Sequence, residues 1–194
     1  MAQRVDYYFD FMSPYAYLGC SQIPRLIATY DAAFVGHAFD MWAARLAAGN
    51  TGPSNRDMPA RARVLMADVA RWAQRYELPL ATPKGFDTAR LNRGFTVAQK
   101  YGAEVKYMTG AFHRLWGLGG DPLDNTLLIE AAADAGLDGE AVLRESDTPE
   151  AKSLYAAGSA EAQARGVFGA PMFAVGDQMF WGNDRLDFVE TLLR

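Results

Sequence analysis

Strand-forming sequence occupies the two ends of this chain and helix-forming sequence fills its middle, and that order limits the possible folds more than any single residue does. Val5 to Phe11 is rich in aromatic and β-branched residues, which suit a pleated, buried strand. Ser13-Pro14 then offers a hydroxyl at an N-cap and a proline at the first helical position, where its missing N–H costs nothing. A helix is predicted over Tyr15 to Tyr30, bent or shortened by Pro24, and a second strand over Ala33 to Met41. From Trp42 to about Arg165 alanine, arginine and leucine dominate with helical periodicity. Met58 to Tyr76 places Leu65, Val69, Trp72 and Tyr76 near one face, and further helices are predicted at about 88–101, 104–116, 125–135 and 149–165. Gly49 to Asn55 and Gly117 to Pro122 are turn-forming. After Gly166, Pro171 to Val175 and Gln178 to Trp181 flank Gly176-Asp177, a hairpin signal, and Gly182-Asn183-Asp184 leads into an amphipathic helix from Arg185 to Leu193.

The order is β-α-β, a block of helices, then β-β-α. Two such end units can share one central sheet. The fold class read from this is α/β: a thioredoxin-like domain made from residues 1–41 and 166–194, interrupted by an all-helical domain at 42–165 that would act as a lid. A length of 194 residues, half of them apolar, is enough for such an arrangement.

Charge and cysteine content exclude several functions. Lys and Arg number 19 against 23 Asp and Glu, a net −4, which argues against nucleic-acid binding through clustered cations. Cys20 is the sole cysteine, so no internal disulfide can form. With His37 and His113 the only histidines, no metal site is expected, and both read as packing or surface residues. No apolar leader follows Arg4 and no run of about 18 apolar residues occurs, so a cytoplasmic globular protein is expected.

The chemistry centres on Ser13, just after a strand and just before a helix. A helix N-terminus presents free N–H groups and the positive end of the dipole, which together favour an anion. In thioredoxin-like enzymes a reactive cysteine usually stands there, its thiolate stabilised by the helix end. Here the residues are Ser13-Pro14-Tyr15-Ala16, so this chain cannot perform dithiol–disulfide exchange. Taken alone, Ser13 reads equally well as a plain N-cap. Cys20, two turns further along the same predicted helix, reads as a buried small apolar group.

Two separated runs, Phe9 to Gly19 (FDFMSPYAYLG) and Gly166 to Leu186 (GVFGAPMFAVGDQMFWGNDRL), together with Pro59 to Ala73 and Phe112 to Asp121, carry a family likeness. In them the chain resembles 2-hydroxychromene-2-carboxylate isomerases, which belong to the DsbA-like branch of the thioredoxin fold and are related to kappa-class glutathione transferases. The resemblance implies a glutathione-dependent cis–trans isomerase of bacterial aromatic catabolism, acting on a small aromatic carboxylate and assembled as a homodimer. It implies that Ser13 donates to the sulfur of bound glutathione, that Ala170-Pro171 forms a cis-proline loop presenting backbone groups to the peptide, and that Gly182, Asn183, Asp184 and Arg185 hold its γ-glutamyl end. Many relatives read Asn-Pro-Ala-Lys where this chain reads Met58-Pro59-Ala60-Arg61, so Arg61 keeps the charge as a planar fork and Met58 loses a hydrogen bond. Arg61, Tyr15 and Trp42 are the expected substrate contacts; the other arginines from Arg56 to Arg75 read as a solvated helix face. Alternatives are a kappa-like transferase that releases a glutathione conjugate, and a non-catalytic glutathione- or peptide-binding module.

Overall fold

The computed structural model describes residues 3–194; Met1 and Ala2, which open the stretch read above for a leader, lie outside the described residues. The N-terminal unit comprises β1 (Gln3–Phe9), α1 (Pro14–Cys20), α2 (Ile23–Thr29) and β2 (Ala32–Ala38). Seven helices follow: α3 (Met41–Ala47), α4 (Pro59–Arg75), α5 (Ala89–Gln99), α6 (Glu104–Phe112), α7 (Asn125–Asp134), α8 (Gly139–Ser146) and α9 (Pro149–Ala164). The chain closes with β3 (Met172–Val175), β4 (Gln178–Trp181) and α10 (Leu186–Leu193).

The four strands form one sheet in the order β2-β1-β3-β4, with β1 parallel to β2 and antiparallel to β3, and β3 antiparallel to β4. The two end units thus share one sheet, as their order implies. On one face of β1, Val5, Tyr7 and Phe9 enter the core, where Phe9 meets Phe95 of α5 at 4.8 Å and Phe112 of α6 at 5.7 Å between ring centroids. That core runs without a break into α7, α8 and α9 through Leu128, Val142 and Ala151. A smaller cluster of Leu18, Val69 and Ala73 fastens α4 to α1.

The boundaries differ from expectation for identifiable reasons. β1 stops at Phe9 rather than Phe11, because the Asp10 carboxylate accepts from the Met12 N–H at 3.0 Å and draws the backbone out of the ladder. The long helix predicted from Tyr15 divides at Ser21-Gln22, since Pro24 has no N–H to give the preceding turn and instead takes an early position in α2. β2 stops at Ala38, and Asp40 caps a helix not predicted from sequence, α3, by accepting from Ala43 N at 2.8 Å. Helix α8, also not predicted, is capped in the same way by Asp138, which accepts from Ala141 N at 3.1 Å. The helix predicted over 104–116 is α6 continued by a π-helical turn at His113–Gly117.

Candidate active site

Strand register explains why residues about 160 positions apart meet. Tyr8 is opposite Met172, and Met172 is opposite Trp181. The segments leaving β1, entering β3 and leaving β4 therefore emerge at the same end of the sheet. The first carries Ser13, the second Ala170-Pro171, and the third Gly182 to Arg185.

Ser13 occupies the N-cap of α1 with extended backbone, and its Oγ accepts from Ala16 N at 3.1 Å. The same hydroxyl donates to the Ala170 carbonyl at 2.9 Å. Ser13 is buried, so both bonds form away from bulk water. The Ala170–Pro171 peptide is cis, as the resemblance implies, and the Pro171 carbonyl accepts from Gly182 N at 2.9 Å. The three segments are thus tied to one another in sequence: Ser13 to Ala170, Pro171 to Gly182.

The turn before Ser13 is anchored by a residue given no role from sequence. Asp10 is buried, and its carboxylate accepts from Met12 N, Met41 N, Thr88 Oγ1 (2.6 Å) and Asn92 Nδ2 (2.9 Å). Burial pushes the Asp10 carboxyl up, and these hydrogen bonds only partly offset it. Asn92 also accepts from Phe11 N at 3.3 Å, and Trp116 Nε1 donates to the Phe11 carbonyl at 2.8 Å. The helical block therefore grips the turn that carries Ser13.

Between these segments and α3 and α4 lies a cavity of about 990 Å³. Ser13, Tyr15, Trp42, Arg61, Ala170, Gly182, Asn183, Asp184 and Arg185 all line it, so every residue expected from sequence is brought to one place except Pro171. The Pro171 ring instead packs behind the loop against α1, where a β-carbon on Gly19 would lie 3.0 Å from its Cγ. Tyr15 presents its ring, because its hydroxyl donates to Asp68 Oδ2 of α4 at 2.9 Å; burial and that carboxylate push the phenol's pKa up. Trp42 lies on α3 with the Arg45 guanidinium 4.8 Å from its ring centroid. Asp184 is bridged by Arg185 at 2.7 Å. Asn183 is only 2% exposed, yet its Nδ2 has no hydrogen-bond partner among the described residues.

Cys20 is buried and its thiol is pushed well up by desolvation, so it is not a nucleophile for this cavity. His37 lies on β2 with Nε2 2.8 Å from Asp6 Oδ1, and His113 begins the π-helical turn; neither lines the cavity. Phe86 and Trp116, 6.2 Å apart, complete its aromatic wall. Arg56 also lines it rather than belonging to a solvated helix face. The sequence signal for Arg56 is its position between the turn-forming segment and α4, outside the amphipathic repeat.

Residues 4–194 match the DSBA-like thioredoxin domain. A 2-hydroxychromene-2-carboxylate isomerase from Sphingobium xenophagum is 42% identical over 193 residues, covering 100% of this chain and 99% of that protein. The chain belongs to the 2-hydroxychromene-2-carboxylate isomerase family. A solved structure of a 2-hydroxychromene-2-carboxylate isomerase superposes with a TM-score of 0.92 at 34% identity, covering 97% of this chain and 93% of that one. Glutathione S-transferase kappa 2 of Caenorhabditis elegans is more distant, 25% identical over 97% of this chain and 91% of its own. Within the isomerase family, the tie from Ser13 through Ala170 to Gly182 places the chain's cap hydroxyl, cis-proline loop and acidic turn around one cavity.

Proposed function

We propose that the chain is a glutathione-dependent isomerase that converts 2-hydroxychromene-2-carboxylate, through its ring-opened form, to trans-o-hydroxybenzylidenepyruvate. The observation that carries the reading is Ser13: a cap hydroxyl at a helix N-terminus, hydrogen-bonded to the loop before β3, with the chain's only thiol sealed elsewhere. The residues present fit glutathione. Asp184 and Arg185 line the cavity with one acceptor and one cationic donor for a charged amino-acid end, and the Ala170 carbonyl offers a backbone acceptor to a peptide N–H.

When bound, glutathione supplies a thiolate that adds to the conjugated double bond of the substrate and leaves after rotation about the resulting single bond. A peptide N–H bonded to the Ala170 carbonyl would take the place now held by the Ser13 hydroxyl, which would leave that hydroxyl as a donor for the thiolate sulfur. The α1 N-terminus adds its dipole to the same anion. Tyr15, Trp42, Phe86 and Trp116 exclude water and hold the aromatic portion.

The test follows isomerisation with and without reduced glutathione; equal rates would overturn the cofactor assignment. In Ser13→Ala, turnover is expected to fall about 100-fold, a typical loss for one donor to a developing anion, while calorimetric affinity for glutathione stays close to that of the parent. The pKa of the bound thiol, read by thiolate absorbance, should rise. Kinship with a kappa-class transferase supports a second reading, conjugation of an aromatic electrophile, for which a stable thioether product without isomerisation would be the decisive result.

A further inference from the structure

Four arginines line the cavity: Arg45, Arg56, Arg61 and Arg185. Two are already committed. Arg185 donates to Asp184 at 2.7 Å. Arg45 donates to Asn50 Oδ1, Gly52 O and Pro53 O, closing the loop ahead of α4, and stacks on Trp42.

Arg56 is held in place but unpaired. Its guanidinium carbon lies 3.8 Å from the Phe86 ring centroid, and its Nη2 is 3.2 Å from the Met12 sulfur, a weak acceptor next to Ser13 in the chain. No carboxylate pairs with it among the described residues. The adjacent carboxylate, Asp57, makes no ion pair with it and accepts instead from Ser54 N at 3.0 Å and Ser54 Oγ at 2.6 Å. A cation fixed on an aromatic wall with most of its fork unused is preorganised for an incoming anion. Arg61 is also unpaired among the described residues, and both side chains are exposed; the difference is that Arg61, on the first turn of α4, has no ring or thioether fixing it.

We propose that Arg56, rather than Arg61, binds the substrate's carboxylate and so selects 2-oxo acids over the corresponding methyl ketones. The inference rests on the isomerase reading. Arg56, Phe86, Trp116, Met12 and Ser13 all line the same cavity, and Arg56 touches the residue next to Ser13 in the chain, which places its guanidinium on the wall that the reacting end of a substrate shares. An alternative client with the same chemistry is the glycyl carboxylate of glutathione, and the test separates the two.

Calorimetry on Arg56→Met, Arg56→Lys and Arg61→Met would use the unreactive oxo acid 4-phenyl-2-oxobutanoate, its methyl ketone 4-phenylbutan-2-one, and glutathione, with melting curves confirming that each variant is folded. Arg56→Met is expected to weaken the oxo acid roughly 30- to 100-fold, the range for a lost charge-assisted pair, and to leave the ketone and glutathione unchanged. Arg56→Lys should recover only part of the affinity, because a point charge cannot reproduce the fork. Arg61→Met should bind the oxo acid like the parent. Unchanged oxo-acid affinity in Arg56→Met, a matching loss in Arg61→Met, or a loss confined to glutathione would each overturn the assignment. Isomerisation by the parent protein that ignores glutathione would overturn the function proposed above and leave these binding results to be judged separately.

Discussion

At Gly182 the backbone takes a φ of +106°, a conformation that residues with a β-carbon rarely adopt. A β-carbon there would also lie 2.5 Å from Asp184 Oδ1. Gly182→Ala should therefore displace Asp184 and strain the turn, costing more than about 1 kcal/mol of stability and weakening glutathione roughly tenfold, the equivalent of one modest hydrogen bond. Turnover at saturating glutathione should stay near the parent value; calorimetry beside steady-state kinetics would show whether the loss lies in binding or in chemistry. Ser13 was legible because capping chemistry is local: a hydroxyl just before a helix announces itself within four residues. Asn183 and Asp184 came from the family resemblance; they stand inside a 3-10 turn and cap no helix. Asp10 was not, because it reads as one polar position in an apolar run. Its partners Met41, Thr88 and Asn92 are supplied by distant parts of the chain. Arg56 was hidden for a related reason, since only the folded loop shows that the Asp57 carboxylate bonds to Ser54 instead.

Strands β1 and β2 and the end of α9 are held together by one carboxylate. Asp6 accepts from Arg4 Nη2 at 2.7 Å, from His37 Nε2 at 2.8 Å and from Arg165 Nη1 at 2.9 Å. Burial alone would raise this carboxyl, but the hydrogen bonds from Arg4, His37 and Arg165 outweigh it and lower the pKa to about 2. Because the folded-state value lies below the unfolded one, the associated stability is present above about pH 4 and is lost as pH falls towards 2, amounting to about 2 kcal/mol. Urea unfolding of the parent between about pH 5 and pH 2 should show that loss, and Asp6→Asn should flatten it. Equal slopes in the two proteins would remove Asp6 from the account. Element type was readable from periodicity and composition, whereas element ends were set by interactions the periodicity does not contain. Asp10 ends β1 through its hydrogen bond to Met12 N, and the side chain of Asp40 begins α3. Helix α8 is short and charged, so its apolar stripe is too brief to register without its cap.

At the scale of the molecule, the sheet and the helical block draw on the same hydrophobic cluster, with Phe9, Phe95, Phe112, Val142 and Phe173 all in it. The division at residues 42 and 165 follows the change in sequence texture, and we propose that it marks an insertion in the chain rather than a unit that melts alone. Unfolding followed by far-ultraviolet circular dichroism, dominated by the helices, and by the fluorescence of Trp181 and the other tryptophans should give coincident transitions. Two separated transitions would show that the block is independent. The fold order was legible because β-α-β and β-β-α ends leave few ways to build one sheet. The register that brings Ala170 and Gly182 to Ser13 follows from that sheet, not from any local signal. Cys20, 1% exposed within α1, equips the chain for a measurement of its own. A thiol buried this deeply is reached by an alkylating reagent only when the core opens, and each chain then takes up one label. Counting labelled chains over time, by mass, would report how often the native protein opens in plain buffer, with neither denaturant nor an added probe.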